Sequence, residues 1–273
     1  MRKYLITGDT HGKVLERLQQ IDQTAYPVNE TAVVILGDAG LNFYLNKTDE
    51  RNKQRVNDFG YIVYCVRGNH EERPERIPDI QNYWDDEIRG WVRYQPQYPN
   101  IRYLLDGGVY HFNGYYTLVI GGAYSVDKWY RLSKYTPQEL AEKKWTGWFE
   151  YEQLTEREMQ WITESCGDRT FDIVLSHTCP LSWQPRDLFL SGLDQSTVDN
   201  SMELWLDDFK DKIRWSVWLF GHYHADRLER PGVEQYFLAI EELGTIMKRW
   251  RTYYDTGELD WYLRKSPNFY MSF

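Results

Sequence analysis

The sequence predicts an α/β fold that opens with a parallel βαβαβ unit, and three observations predict it. Short apolar runs end one after another in tight turns: 4–6 before Gly8-Asp9-Thr10-His11-Gly12, 32–36 before Gly37-Asp38-Ala39-Gly40, and 61–66 before Arg67-Gly68-Asn69-His70-Glu71. Between them the spacing turns helical, with Val14, Leu15, Leu18 and Ile21 on one face over 13–22 and a polar helix over 47–59. The runs themselves carry almost no polar residue, as strands buried on both faces do, and strands alternating with helices pair in parallel.

The rest of the chain continues the pattern with interruptions. Residues 71–100 hold Pro74, Pro78, Pro96 and Pro99 beside Tyr83, Trp84, Trp91 and Tyr94. They read as an irregular connection, either a surface loop anchored by its rings or a wall of the functional cleft. Residues 101–105, 108–112 and 115–121 read as successive strands, with Asp106-Gly107 and Asn113-Gly114 as hairpin signals, so that pairing turns antiparallel. Thr155 with Glu158 three residues later is a capping box for a helix over 154–165. Two more apolar runs, 171–175 and 217–220, lead into Ser176-His177-Thr178 and Gly221-His222-Tyr223-His224, with a helix over 203–212 between them. Leu228, the run 235–240 and Trp261-Tyr262-Leu263 suggest strands closing a second sheet, with a short helix near 241–250.

Each turn after a run carries a side chain able to bind a metal, and five of the six histidines fall in these turns. A single Asp-x-His between glycines is an ordinary turn; five such turns in succession are not. Carboxylate, imidazole and amide donors together suit borderline ions, Mn²⁺, Fe²⁺/³⁺ or Zn²⁺, better than Ca²⁺ or Mg²⁺. His111 sits mid-strand and is read as a packed residue, as is Cys179 two positions from His177.

In their order, Asp-x-His, Gly-Asp, Gly-Asn-His-Glu, the lone His177 and Gly-His-x-His resemble the motifs of calcineurin-like metallophosphoesterases, and they extend from Asp9 to His224. The resemblance implies a four-layer α/β/β/α sandwich, two mixed β-sheets flanked by helices, as one domain over 1–273 with an aromatic-rich insertion at about 123–152. It further implies two divalent cations, with manganese favoured in vitro. Asp9, His11 and His224 would hold the first, Asn69, His177 and His222 the second, and Asp38 would bridge them. A hydroxide between the ions would attack phosphorus in line, and His70 would protonate the leaving oxygen. The alternative for His70 is a structural role, orienting Glu71 or the backbone.

One departure bears on substrate. Protein serine/threonine phosphatases of this superfamily continue their second motif as Gly-Asp-x-x-Asp-Arg, and here Leu41 and Asn42 occupy those last two positions. The orienting aspartate and the phosphate-gripping arginine must then come from elsewhere. Asn42, Arg67, Asp127, Lys128 and Arg131 are the candidate substrate contacts. The departure weighs against a protein phosphatase, while the double glycine Gly121-Gly122, the aromatic insertion and Ser176-His177-Thr178-Cys179-Pro180 resemble the broad bacterial and phage-type group, acting on a phosphomonoester or a nucleotide-like substrate. A phosphodiesterase or nuclease on short oligonucleotides or cyclic nucleotides, a serine/threonine protein phosphatase, and a non-catalytic binding protein are the alternatives.

A net charge of −9 argues against a stable complex with duplex nucleic acid, because such binders carry basic surfaces. No apolar run is long enough to span a bilayer. Cys65, Cys166 and Cys179 form no paired motif, which fits reduced thiols and a cytoplasmic protein. In the insertion, Trp129, Tyr130, Trp145, Trp148 and Phe149 accompany Lys128 and Arg131, either as a lid bearing cations or as a solvated surface. The connection 178–202 has little periodicity, and the oligomeric state has no sequence signature.

Overall fold

The computed structural model describes residues 2–142, 145–189 and 196–258. The strands are β1 (Lys3–Thr7), β2 (Thr31–Ile35), β3 (Ile62–Cys65), β4 (Gln81–Asp85), β5 (Gly90–Tyr94), β6 (Ile101–Leu104), β7 (Val109–Phe112), β8 (Tyr115–Ile120), β9 (Thr170–Ser176), β10 (Arg214–Phe220), β11 (Arg227–Arg230), β12 (Val233–Gln235) and β13 (Ile240–Glu242). They form two mixed sheets, ordered β13-β1-β2-β3-β6-β5-β4 and β11-β12-β10-β9-β8-β7. In the first, β1, β2, β3 and β6 are parallel while β13, β5 and β4 pair antiparallel at the edges. In the second, β8, β9, β10 and β12 are parallel and β7 and β11 close the edges antiparallel.

The helices are α1 (Val14–Leu18), α2 (Lys47–Phe59), α3 (Lys128–Leu132), α4 (Pro137–Ala141), α5 (Glu156–Cys166), α6 (Ser201–Lys210) and α7 (Leu243–Thr256). Side chains alternate across a strand, so each central strand serves two cores at once. Tyr4 and Ile6 of β1 face the space between the sheets with Val34, Tyr64, Phe112, Val119, Ile173 and Val217. Leu5 of the same strand faces outward with Val33, Ile35 and Val63, onto Val14 and Leu18 of α1 and Val56 of α2. On the far side Leu118, Val174 and Trp218 meet Ile162 of α5 and Leu206 and Phe209 of α6. The runs lack polar residues because both faces of these strands are dry, which makes two sheets with flanking helices the arrangement that buries them. Helix α7 sets Leu243, Ile246 and Trp250 into the inter-sheet core.

The structure departs from the sequence expectations in three places. Residues 71–100 are not irregular throughout: β4 and β5 pair from Gln81↔Tyr94 to Asp85↔Gly90. Their strand signal was hidden because β4 is an edge strand whose first four residues are exposed, leaving no buried alternation to read. Asp106-Gly107 closes no hairpin; it carries the chain from β6 in one sheet to β7 in the other, whereas Asn113-Gly114 does close β7 onto β8. The first helix is limited to Val14–Leu18. Trp261-Tyr262-Leu263 lies outside the described residues, and no described helix is long and apolar enough to cross a membrane.

The capping box at Thr155 is present in full, with Glu158 returning its carboxylate to the Thr155 N–H. Glu158 also accepts from Arg73, which links α5 to the segment after His70. Burial opposes ionisation of Glu158, but Arg73 and the cap outweigh it and bring its pKa from 4.5 down to about 2. A depressed carboxylate contributes stability above its unfolded pKa, and that contribution is lost as pH falls toward 2. Urea unfolding at pH 5 and pH 3 should therefore show a smaller acid loss in Glu158→Gln than in wild type. Equal losses in the two proteins would refute the linkage.

Candidate metal centre

All five motif turns converge at the carboxyl ends of β1, β2, β3, β9 and β10, where open α/β sheets place ligands. Asp9, His11 and His224 bring one ligand atom each to within 4.8 Å of one another, and so do Asp9, Asp38 and His177. Asp38 Oδ2 stands between the groups, 3.8 Å from His11 Nδ1 and 3.7 Å from His177 Nε2. Asn69 Oδ1 lies 2.8 Å from His177 Nε2, and the His222 ring packs edge-on to His177 with centroids 5.0 Å apart.

The backbone at the ligands is strained. His11, Asp38, His222 and His224 all have positive φ, between 45° and 70°. Non-glycine residues avoid this region at a cost of about 1 kcal/mol or more each, and such strain concentrates at functional sites. Strand ends that turn this sharply aim the side chains back over the sheet edge. Gly37, at φ +95°, lets the chain pass against the imidazole of His177, which is fully buried.

The donors fit a cation. His11 Nε2 and His224 Nε2 face each other at 2.8 Å, and Asp9 Oδ2 is buried with no hydrogen bond among the described residues. His177 directs Nδ1 at the Leu36 carbonyl, 2.8 Å away, which places the proton on Nδ1 of the neutral ring and turns the Nε2 lone pair into the cluster. Lone pairs converging at such short distances repel unless a proton or a cation lies between them. The charges agree. Burial alone would raise the Asp9 carboxyl, yet His177 and His224 bring it down to about 2. Burial likewise opposes Asp38, which His177 and His70 hold well below the carboxylate range. Those carboxylates in turn overcome burial to push His177 up to about 9, while burial beside cationic His177 drives His222 down to about 3. In this field a divalent ion, if these donors held one, would take the place of the His177 proton.

His70 follows Asn69 and donates its backbone N–H to Asp38 Oδ1 at 2.7 Å. Its ring lies 5.8 Å from that of His11, and its Nδ1 is buried with no partner among the described residues. Burial lowers its pKa, and the nearby charges of Asp38, Arg131 and Asp127 act on it.

The candidate substrate contacts divide. Arg67 is buried and committed to structure: Nε donates to Asp106, Nη1 to the carbonyls of Glu152 and Tyr151, and Nη2 to that of Gly121. These bonds make Arg67 a tie between the sheets' loops. Asn42 is buried and donates to the Tyr103 hydroxyl at 2.9 Å. Asp127 and Arg131 form a 2.6 Å ion pair near His70, and Arg131 also donates to the Gly147 carbonyl. Lys128 sits over the rings of Trp148, Trp129 and Tyr124. His111 is half-buried in β7 against Tyr116, and Cys179 is buried as a free thiol.

Three further polar residues meet the candidate ligands or their turns: Glu71 stands in a motif whose spacing assigns it no role of its own, and Ser125 and Glu152 lie outside the motifs. Glu71 is buried, accepts from the Gly68 N–H, and is pushed up to about 7 by burial and Asp38. Ser125 accepts from Asn69 Nδ2, and Glu152 accepts from Ser125. The glycines before Ser125 marked its neighbourhood, but Glu152 is far along the chain and nothing local announces it.

No curated protein matches the chain. The family model for calcineurin-like phosphoesterases matches residues 2–226. This span holds every candidate ligand described above, and the chain belongs to the calcineurin-like phosphoesterases, a family of metal-dependent phosphoesterases.

Proposed function

We propose that the chain hydrolyses small phosphomonoesters, nucleotide-like ones foremost, at a centre of two divalent cations. The observation that carries this reading is the pair of ligand groups joined at Asp9 and Asp38. Asp9, His11 and His224 would hold one ion, Asn69, His177 and His222 the other, with Asp38 between them. Manganese, iron and zinc suit these donors, and manganese is the ion of choice for assay. When bound, such a pair supplies a Lewis acid that activates water and neutralises phosphoryl oxygens.

The protein's own share is positional. His70, held by its backbone bond to Asp38, assists the leaving oxygen. An anionic ester beside it favours the imidazolium and counters the effect of burial. Arg131, fixed through Nε and Nη1, keeps Nη2 without a partner among the described residues and can meet a phosphoryl oxygen. Trp129 and Tyr130 are exposed on α3, and Trp145 tilts against Tyr44 in the loop leaving Asp38, with ring centroids 5.7 Å apart. Exposed rings beside cations suit a flat leaving group such as a nucleobase.

The test is hydrolysis of a chromogenic phosphomonoester and its matching diester by metal-stripped protein with Mn²⁺ returned. Mn²⁺-dependent turnover favouring the monoester is expected. Faster diester cleavage would make the protein a phosphodiesterase, and no turnover of either ester with two ions bound would overturn the reading. His70→Ala should keep its Mn²⁺ content while kcat falls about a hundredfold or more, the usual size of a lost general acid. An unchanged kcat would return His70 to a structural role.

A further inference from the structure

We propose that Ser125 and Glu152 are a positioning pair that orients the Asn69 amide toward the cations and couples the 123–152 segment to metal affinity. The identity of the ion affected rests on the dinuclear reading above; the orientation itself does not.

The two ends of a carboxamide have nearly the same shape, so the pocket must decide which one faces the ligands. Asn69 Nδ2 lies 2.9 Å from Ser125 Oγ. A serine hydroxyl has one proton, and here it is given to Glu152 Oε2 at 2.5 Å, while Glu152 Oε1 accepts the Ser125 backbone N–H at 3.0 Å. Ser125 Oγ is left only as an acceptor toward Asn69. The amide nitrogen must therefore face Ser125, and Oδ1 must face His177 Nε2.

Asn69 and Ser125 are each 1% exposed and Glu152 3%, so water cannot replace either partner. Glu152 is itself held from beyond the site, because its carbonyl accepts from Arg67 Nη1 at 2.6 Å and Arg67 is paired with Asp106. Ser125 lies near the start of the aromatic segment, shortly after β8, and Glu152 ends it. The two ends of the segment thus meet behind a ligand, and any displacement of the segment is felt at Asn69 Oδ1.

The experiment titrates Mn²⁺ calorimetrically into the metal-stripped full chain, as wild type, Ser125→Ala and Glu152→Gln. The Asn69 side-chain amide resonances are followed by NMR in the same metal-free proteins. Ser125→Ala should weaken one of two ions by about ten- to a hundredfold, the usual effect of losing a group that orients a ligand. It should also shift or broaden the Asn69 amide pair, and Glu152→Gln should act in the same direction. Wild-type affinities with an unmoved Asn69 signal would overturn the proposal. So would loss of both ions together with a lowered melting temperature of the metal-free protein, which marks a merely structural role. If wild type binds one ion, the dinuclear reading fails by itself; the Asn69 signal then decides the pair, a moved signal sustaining it and an unmoved one ending it.

Discussion

Asp38→Asn is expected to lower kcat/KM by at least about a thousandfold, the largest loss of any conservative change in the chain. Two cations close together need an anion between them, and Asp38 Oδ2 is the carboxylate oxygen that reaches both His11 and His177. Asparagine keeps the shape and can still accept the His70 backbone N–H, so the fold should survive. What disappears is a buried negative charge. The transition-state stabilisation that depends on it is worth several kcal/mol, and about 4 kcal/mol corresponds to that rate loss. Metal analysis after dialysis should find less than the wild-type content. A variant that retains its full metal and activity within tenfold of wild type would refute the role given to Asp38.

Gly37→Ala should be a severely damaging methyl addition near the site, lowering stability by about 3–5 kcal/mol and reducing metal content with it. A Cβ at position 37 would fall on Nδ1 of the His177 imidazole. That ring cannot yield, because it is fully buried and bonded to the Leu36 carbonyl on one side and close to Asn69 on the other. The backbone adds its own cost, since φ at Gly37 is +95°. Gly114→Ala separates the two effects: its φ is +83° but an added Cβ meets nothing within 4 Å. Chemical denaturation of both variants should show a much larger loss for Gly37→Ala. Similar losses would mean that backbone strain alone is responsible.

The convergence of the motif turns was legible in the sequence because each candidate ligand directly follows its own strand. An apolar run and the turn after it are local, and local order survives in a linear text. The Thr155 and Glu158 cap was legible for the same reason. The β4–β5 hairpin was hidden by exposure on an edge, and Asp106-Gly107 misled because a turn looks alike whether it closes a hairpin or changes sheets. Arg67 stood in a metal-binding turn with a guanidinium suited to phosphate. Its true partners, Asp106 and the carbonyls of Gly121 and Glu152, lie 39 to 85 positions away, and no local pattern encodes them. The Ser125–Glu152 bond was unreadable for that same reason of distance.

The pairing of β13 with β1 has a consequence for how the chain is made. β1 leaves the ribosome well before the strand that covers its outer edge, which ends at Glu242. Until β13 has been made, the strand that presents Asp9 has one row of backbone groups open to solvent. Open strand edges recruit other strands, and contacts between distant residues form slowly. The nascent protein therefore depends on residues about 230 positions further on to seal β1, and the interval before they arrive exposes that edge to association with its neighbours.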